Sequence, residues 1–122
     1  MKIKYLDGAL LKKVFIGAAN NLEKNKDEVD ALNVFPVPDG DTGTNMSLTF
    51  QTALKHIMNL EDESVENIAF AAANGSLMGA RGNSGVILSQ LLRGFANGLK
   101  GKNKANAKLL AKAFKQASDT AY

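Results

Sequence analysis

The chain contains no cysteine. Disulfides, thiolate zinc sites and cysteine nucleophiles are therefore excluded. Histidine occurs once, at His56. Along a continuous helix it lies about 20 Å beyond Asp41, too far to share a metal ion. His56 reads as a surface residue, and a Ser-His-Asp triad has little support. Proline occurs twice, at Pro36 and Pro38, both in one loop. No apolar run approaches the ~18 residues of a membrane span. Met1-Lys2-Ile3-Lys4-Tyr5 leads into no apolar signal core, and a cytoplasmic location fits these absences. No alternating strand pattern, internal repeat or low-complexity segment stands out. The net charge of +3 is mild and the lysines are scattered, so a solvated surface accounts for most of it and nucleic acid is not an expected partner.

What is present is an ordinary globular composition, 45% hydrophobic and 22% charged over 122 residues, enough for one domain at most. Asp7 is placed to cap a first helix running to about Asn25, with Leu11, Val14, Phe15, Ala18, Ala19 and Leu22 among its apolar stripe. Asp27 to Leu32 reads as a short turn. A second helix starts near Thr42–Thr44 and ends near Asn59, with Met46, Phe50, Ala53, Leu54 and Ile57 on one face. Ser64 caps a third helix to about Met78, rich in small residues and expected to be central. Residues 79–85 interrupt the pattern, and a fourth helix follows from Val86 to about Leu99. Asn106 caps the last. The expected fold is all-α, an antiparallel bundle of about five helices.

Two loops carry the chemistry. The first, Asn33-Val-Phe-Pro-Val-Pro-Asp-Gly-Asp-Thr-Gly-Thr-Asn-Met46, sets Asp39 and Asp41 two residues apart. The prolines stiffen the approach and the glycines allow a tight turn. Close carboxylates on a rigid turn suit a hard cation. Asp39 and Asp41 also fit as turn formers and helix caps, although capping needs one such residue, and here Asp39, Asp41, Thr42, Thr44 and Asn45 crowd together. An EF-hand fits badly, because counting from Asp39 puts Thr44 where glycine is required and Phe50 where glutamate is required. Magnesium, which needs few carboxylates and takes phosphate oxygens, fits better. The second loop, Gly79-Ala-Arg-Gly-Asn-Ser-Gly85, stands before a helix, where exposed amides and the Ser84 hydroxyl can cradle a phosphate. It is neither a Walker A loop nor a dinucleotide fingerprint, and taken alone it reads more readily as a plain helix–helix turn with Gly85 near the next cap. Arg81 suits either a phosphate or an exposed helix end.

Together the two loops resemble the DhaL/DAK2 domain family, and the form of the first is similar to that of the ATP-binding subunit of bacterial fatty acid kinase. Gly79-Ala-Arg-Gly-Asn-Ser-Gly-Val-Ile-Leu-Ser-Gln90 resembles the family's phosphate-side loop. In the dihydroxyacetone kinase branch the metal loop carries a trio of aspartates. Asp39 and Asp41 match the second and third, and the first falls near Asn33, an amide here. The resemblance implies a helical barrel holding a pair of magnesium ions between aspartates and the phosphates of ATP. Asp39, Asp41 and Asn33 would serve the metal. Thr42, Gly43, Thr44, Asn45, Gly82, Asn83, Ser84 and Gly85 would serve the nucleotide. It further implies a fatty acid carboxylate as acceptor, carried by a DegV-like binding protein, with an acyl phosphate as product. Dihydroxyacetone is the alternative acceptor. DhaL-type domains carry further helices, so residues 1–122 are expected to be the N-terminal part of such a domain. Its incomplete barrel would leave apolar surface that favours self-association. A non-catalytic helical interaction module is the remaining alternative.

Overall fold

A computed structural model of the chain describes residues 4–34, 40–61 and 64–122. Five helices form a bundle: α1 (Gly8–Leu32), α2 (Thr42–Met58), α3 (Val65–Met78), α4 (Gly82–Gly98) and α5 (Ala107–Ala121). Three expected caps are in place. Asp7 Oδ1 accepts from the Leu10 amide, Ser64 Oγ from Asn67, and Asn106 Oδ1 from Leu109. Each satisfies an amide that the first turn leaves without an intrahelical partner.

Two boundaries differ from the sequence expectation. Residues 27–32 are not a separate turn, because α1 continues unbroken to Leu32. The polar residues there carry no helix breaker, and Asp30 is held by contacts to α2. The second loop is also shorter than expected, since 82–85 form the first turn of α4. Gly82 and Gly85 lower helix propensity, but here they allow α4 to lie close against α2.

Each helix packs on its successor; α2 also meets α4, and α1 meets α3. The alanine-rich α3 is central, with Val65, Ile68 and Ala72 all 0% exposed. Burying a side chain such as Ile68 contributes about 1.5–3 kcal/mol. Small residues set the helix spacing. A Cβ on Gly75 would lie 2.8 Å from Ala53 Cα, and one on Gly98 would lie 2.6 Å from Ala113 Cα. His56 is not a free surface residue. Its ring is half-buried against Gly75, and its Nδ1 lies 3.1 Å from the Thr52 carbonyl.

At the end away from the loops, Leu6 and Ala105 exchange backbone hydrogen bonds of 2.7 and 2.8 Å. Beside this tie, α1 and α5 diverge around an apolar groove of about 480 Å³. Val14 and Phe114, both apolar-stripe positions, stand 51% and 63% exposed at its rim. No helix is long and apolar enough to cross a membrane among the described residues.

Candidate functional site

The site lies where the N-termini of α2 and α4 meet, and α1 decides what the α2 end can offer. Asn33, just past α1, turns its Oδ1 onto the amides of Asp41 and Thr42, at 3.1 and 3.2 Å. One turn earlier, Asp30 takes the Thr44 amide on Oδ1 at 2.9 Å and the Thr44 hydroxyl on Oδ2 at 2.5 Å. The amides that open α2 are thus largely satisfied from α1. Asp41 occupies the N-cap position without making a side-chain cap bond. Its carboxylate is exposed and meets no partner among the described residues. Released from capping, that carboxylate is available to a cation.

Gly43 makes this arrangement possible, because any Cβ there would collide with the Lys26 carbonyl of α1. Further along the same seam, Glu23 accepts from Lys26 at 2.7 Å, Ser47 at 2.5 Å and Gln51 at 2.9 Å. Ser47 is 1% exposed, so its hydroxyl needs such a partner. These contacts shift both acids. The Thr44 hydroxyl, then the Thr44 and Gly43 amides and the Lys26 charge, hold the Asp30 carboxyl below its ordinary value. Lys26 foremost, then Ser47, does the same for Glu23.

A carboxyl with a folded-state pKa below its unfolded one stabilises the fold above the unfolded value, and that stability is lost as pH falls through the folded one. Urea midpoints are therefore expected to fall as pH drops from about 5 to about 2. The fall should be shallower for Asp30→Asn than for the parent chain, and equal slopes would show that Asp30 does not contribute.

The α4 end is the electrostatic opposite. Arg81 is its N-cap and provides no side-chain cap bond. The amides of Gly82, Asn83 and Ser84 thus open the helix with no capping side chain, at the positive end of its dipole. Gly82 has φ +66°, a conformation that favours glycine, and a Cβ there would lie 2.5 Å from Asn45 Nδ2. Thr49 joins the two ends. Its hydroxyl, 0% exposed, donates to the Asn45 carbonyl at 2.7 Å and accepts the Arg81 amide at 3.1 Å. Gly85 seats directly against the same hydroxyl. The junction therefore holds Asn45 and Thr49 of α2 against the opening turn of α4, and the exposed Asp41 carboxylate stands one turn before Asn45, at the N-cap of α2.

The expected site residues divide into groups. Asn45 touches Gly82, and the turn Gly82–Gly85 opens α4 beside it. Thr42, Gly43 and Thr44 face α1 instead. Asn33 already receives two amides on its oxygen. Asp39 lies outside the described residues. Among the described residues no three histidine, aspartate or glutamate side chains group to hold a metal, so the placed metal candidate is Asp41. Sequence reasoning missed Asp30 and Thr49. Asp30 falls in a stretch whose sequence reads as a turn, and a mid-helix threonine gives no sign that it ties two loops.

Residues 36–122 match the family model of the DAK2 domain. Over 98% of its length the chain is 48% identical to an uncharacterized protein of Staphylococcus haemolyticus, and over 100% it is 46% identical to protein YloV of Bacillus subtilis. A further uncharacterized protein, from Staphylococcus aureus, is 47% identical over 98% of the chain. The chain spans 22% of the length of each of these relatives.

Proposed function

The chain belongs to the DAK2 domain family, and on that premise we propose that it is the N-terminal part of a DhaL-like kinase domain whose α2–α4 junction binds magnesium and ATP. The observation that carries this reading is that Thr49 ties the opening of α4 to α2, the helix whose N-cap is the exposed, uncapping Asp41. Asp41, with Asp39 beside it in sequence, would hold magnesium. Asn33 and Asp30 would fix the loop from behind. The amides of Gly82, Asn83 and Ser84, with the Ser84 hydroxyl, would receive phosphate oxygens. Magnesium supplies charge neutralisation on the phosphates when bound.

Phosphoryl transfer requires positioning and charge stabilisation more than covalent chemistry, and a junction tied through the buried Thr49 supplies positioning. The acceptor we propose is a fatty acid carboxylate presented by a DegV-like binding protein, giving an acyl phosphate. A carboxylate is ionised near neutral pH, so no general base is needed. His56 lies in the last turn of α2 against Gly75 of α3, at the far end of that helix from Asp41.

Calorimetry of the longer protein with ATP tests the reading. Binding should require magnesium, and Asp41→Asn should weaken it at least tenfold, about 1.4 kcal/mol, with helicity unchanged. Equal ATP affinity with and without magnesium would remove the proposal. Supplying a fatty acid on its binding protein, or dihydroxyacetone, as acceptor decides between the two substrates. A second reading, a helical module that associates through its apolar surface, is favoured by the open groove between α1 and α5. Light scattering over a concentration series checks it, since a chain that stays monomeric while binding Mg-ATP excludes it.

A further inference from the structure

Charge is divided unequally along the chain. Every aspartate and glutamate except Asp119 lies at or before Glu66, and from Asn67 to Ser118 there are eight lysines and arginines and no acid. Six of the eight are lysines at the end of the molecule opposite the α2–α4 junction or on the helix leading from it. Lys100, Lys102 and Lys104 lie in the α4–α5 connection; Lys108, Lys112 and Lys115 lie on α5, and all six are exposed.

The α5 lysines are spaced i, i+4, i+7, which makes one row along the helix. Ala113 and Ala117, buried at 0% and 6% exposure, lie on the opposite face. The row therefore points directly away from the core and continues into the connection.

Among the described residues little compensates this charge. Lys115 reaches Asp119 at 3.4 Å, with side chains 77% and 67% exposed, an arrangement of small energetic value. Among the described residues the other five lysines form no ion pair. Glu66 directs its carboxylate to the Gly101 amide and not to a lysine of the connection. The first turn of α5 has no acidic residue, so the positive end of that helix adds to the same field.

We propose that this lysine row is a docking surface for an anionic lipid bilayer. The type of cation supports a lipid surface. Lysine is a compact, hydrated point charge without the planar fork that recognises a single carboxylate or phosphate. Lysine is also depleted at protein–protein interfaces, where aromatic residues and arginine serve as anchors. The row contains no aromatic side chain on which a nucleic acid base would stack. Separate ammonium groups on a convex helix face suit lipid headgroups, which are mobile and can gather beneath each one.

Vesicle sedimentation of the chain tests the proposal. Retention is expected on phosphatidylcholine vesicles containing phosphatidylglycerol and not on phosphatidylcholine alone, and it should weaken as salt is raised. Each lysine near an anionic surface contributes about fivefold in affinity, equivalent to about 1 kcal/mol. The triple variant Lys108→Gln, Lys112→Gln, Lys115→Gln should therefore bind about a hundredfold more weakly, by the same per-residue effect. The control Lys13→Gln, Lys24→Gln, Lys55→Gln removes equal charge elsewhere and should bind as the parent does, with circular dichroism confirming that both variants fold. Absence of retention on anionic vesicles at low salt overturns the proposal. So does an equal loss in both triple variants, or binding to a duplex oligonucleotide without binding to vesicles.

Discussion

Replacing Phe15 with alanine is expected to lower the free energy of unfolding by about 3–5 kcal/mol. That is a large share of the roughly 5–15 kcal/mol that holds a typical domain. Phe15 is 6% exposed. Its ring lies 6.0 Å from Phe50 at a tilt of 55° and 6.3 Å from Phe95 at 82°. Phe95 in turn meets Phe114 at 5.1 Å. α1 packs on α2 and α3 but not along α4 or α5, so Phe15 provides a rare bridge from α1 to α4. It also lines the groove that α1 and α5 leave open, and a wall already open on one side has little support to collapse inward. Truncation there widens the groove instead of being repacked. Urea unfolding followed by circular dichroism measures the loss. The neighbouring Val14→Ala, at an exposed position, should change stability by no more than about 0.5 kcal/mol. Similar effects of the two would mean that the aromatic chain is not what joins α1 to α4.

The second large effect is expected at Thr49. Thr49→Val keeps the shape of the side chain and removes the hydroxyl. The Asn45 carbonyl then loses a donor, and the Arg81 amide loses its acceptor in a part-buried position. Removing an acceptor from such a donor costs about 1–3 kcal/mol. The functional consequence should exceed the structural one, because under the proposed function α2 and α4 hold opposite sides of one ligand. Mg-ATP affinity is expected to fall at least tenfold, about 1.4 kcal/mol, and Thr49→Ser, which restores the hydroxyl, should recover most of it. Calorimetry and thermal melts on the same samples separate the two effects. A variant that loses stability but keeps full affinity would show Thr49 to be a packing residue only.

Much of this was legible in the sequence, for identifiable reasons. Caps at Asp7, Ser64 and Asn106 depend on nearest-neighbour geometry, so they can be read residue by residue. The small-residue content of α3 pointed to its central position because only small side chains allow neighbouring backbones so close. The α1 boundary is hard to read because its last two turns are acid-rich, and their terminal leucine, Leu32, is 75% exposed and extends no core-facing stripe. They are held by Asp30 and Lys26 contacts to residues well removed in sequence. The first turn of α4 was read as loop because glycine disfavours helices, while contact with Thr49 and Asn45 outweighs that preference. The same reasoning explains the site. Its loops could be found as motifs, whereas Asp30 and Thr49 act through partners that only the folded chain brings near.

The glycine and alanine seams affect how this molecule can vary. Where Gly75 rests on Ala53 and Gly98 on Ala113, backbone meets backbone and even one added methyl group has no space. Such positions cannot drift singly, because a larger residue on one helix would demand a smaller one on a partner that is already glycine or alanine. Sequence change should therefore concentrate on the outer faces and the groove rim. The spacing of α3 on α2 and of α5 on α4 would then be inherited almost unchanged, whatever reaction the surrounding surface comes to serve.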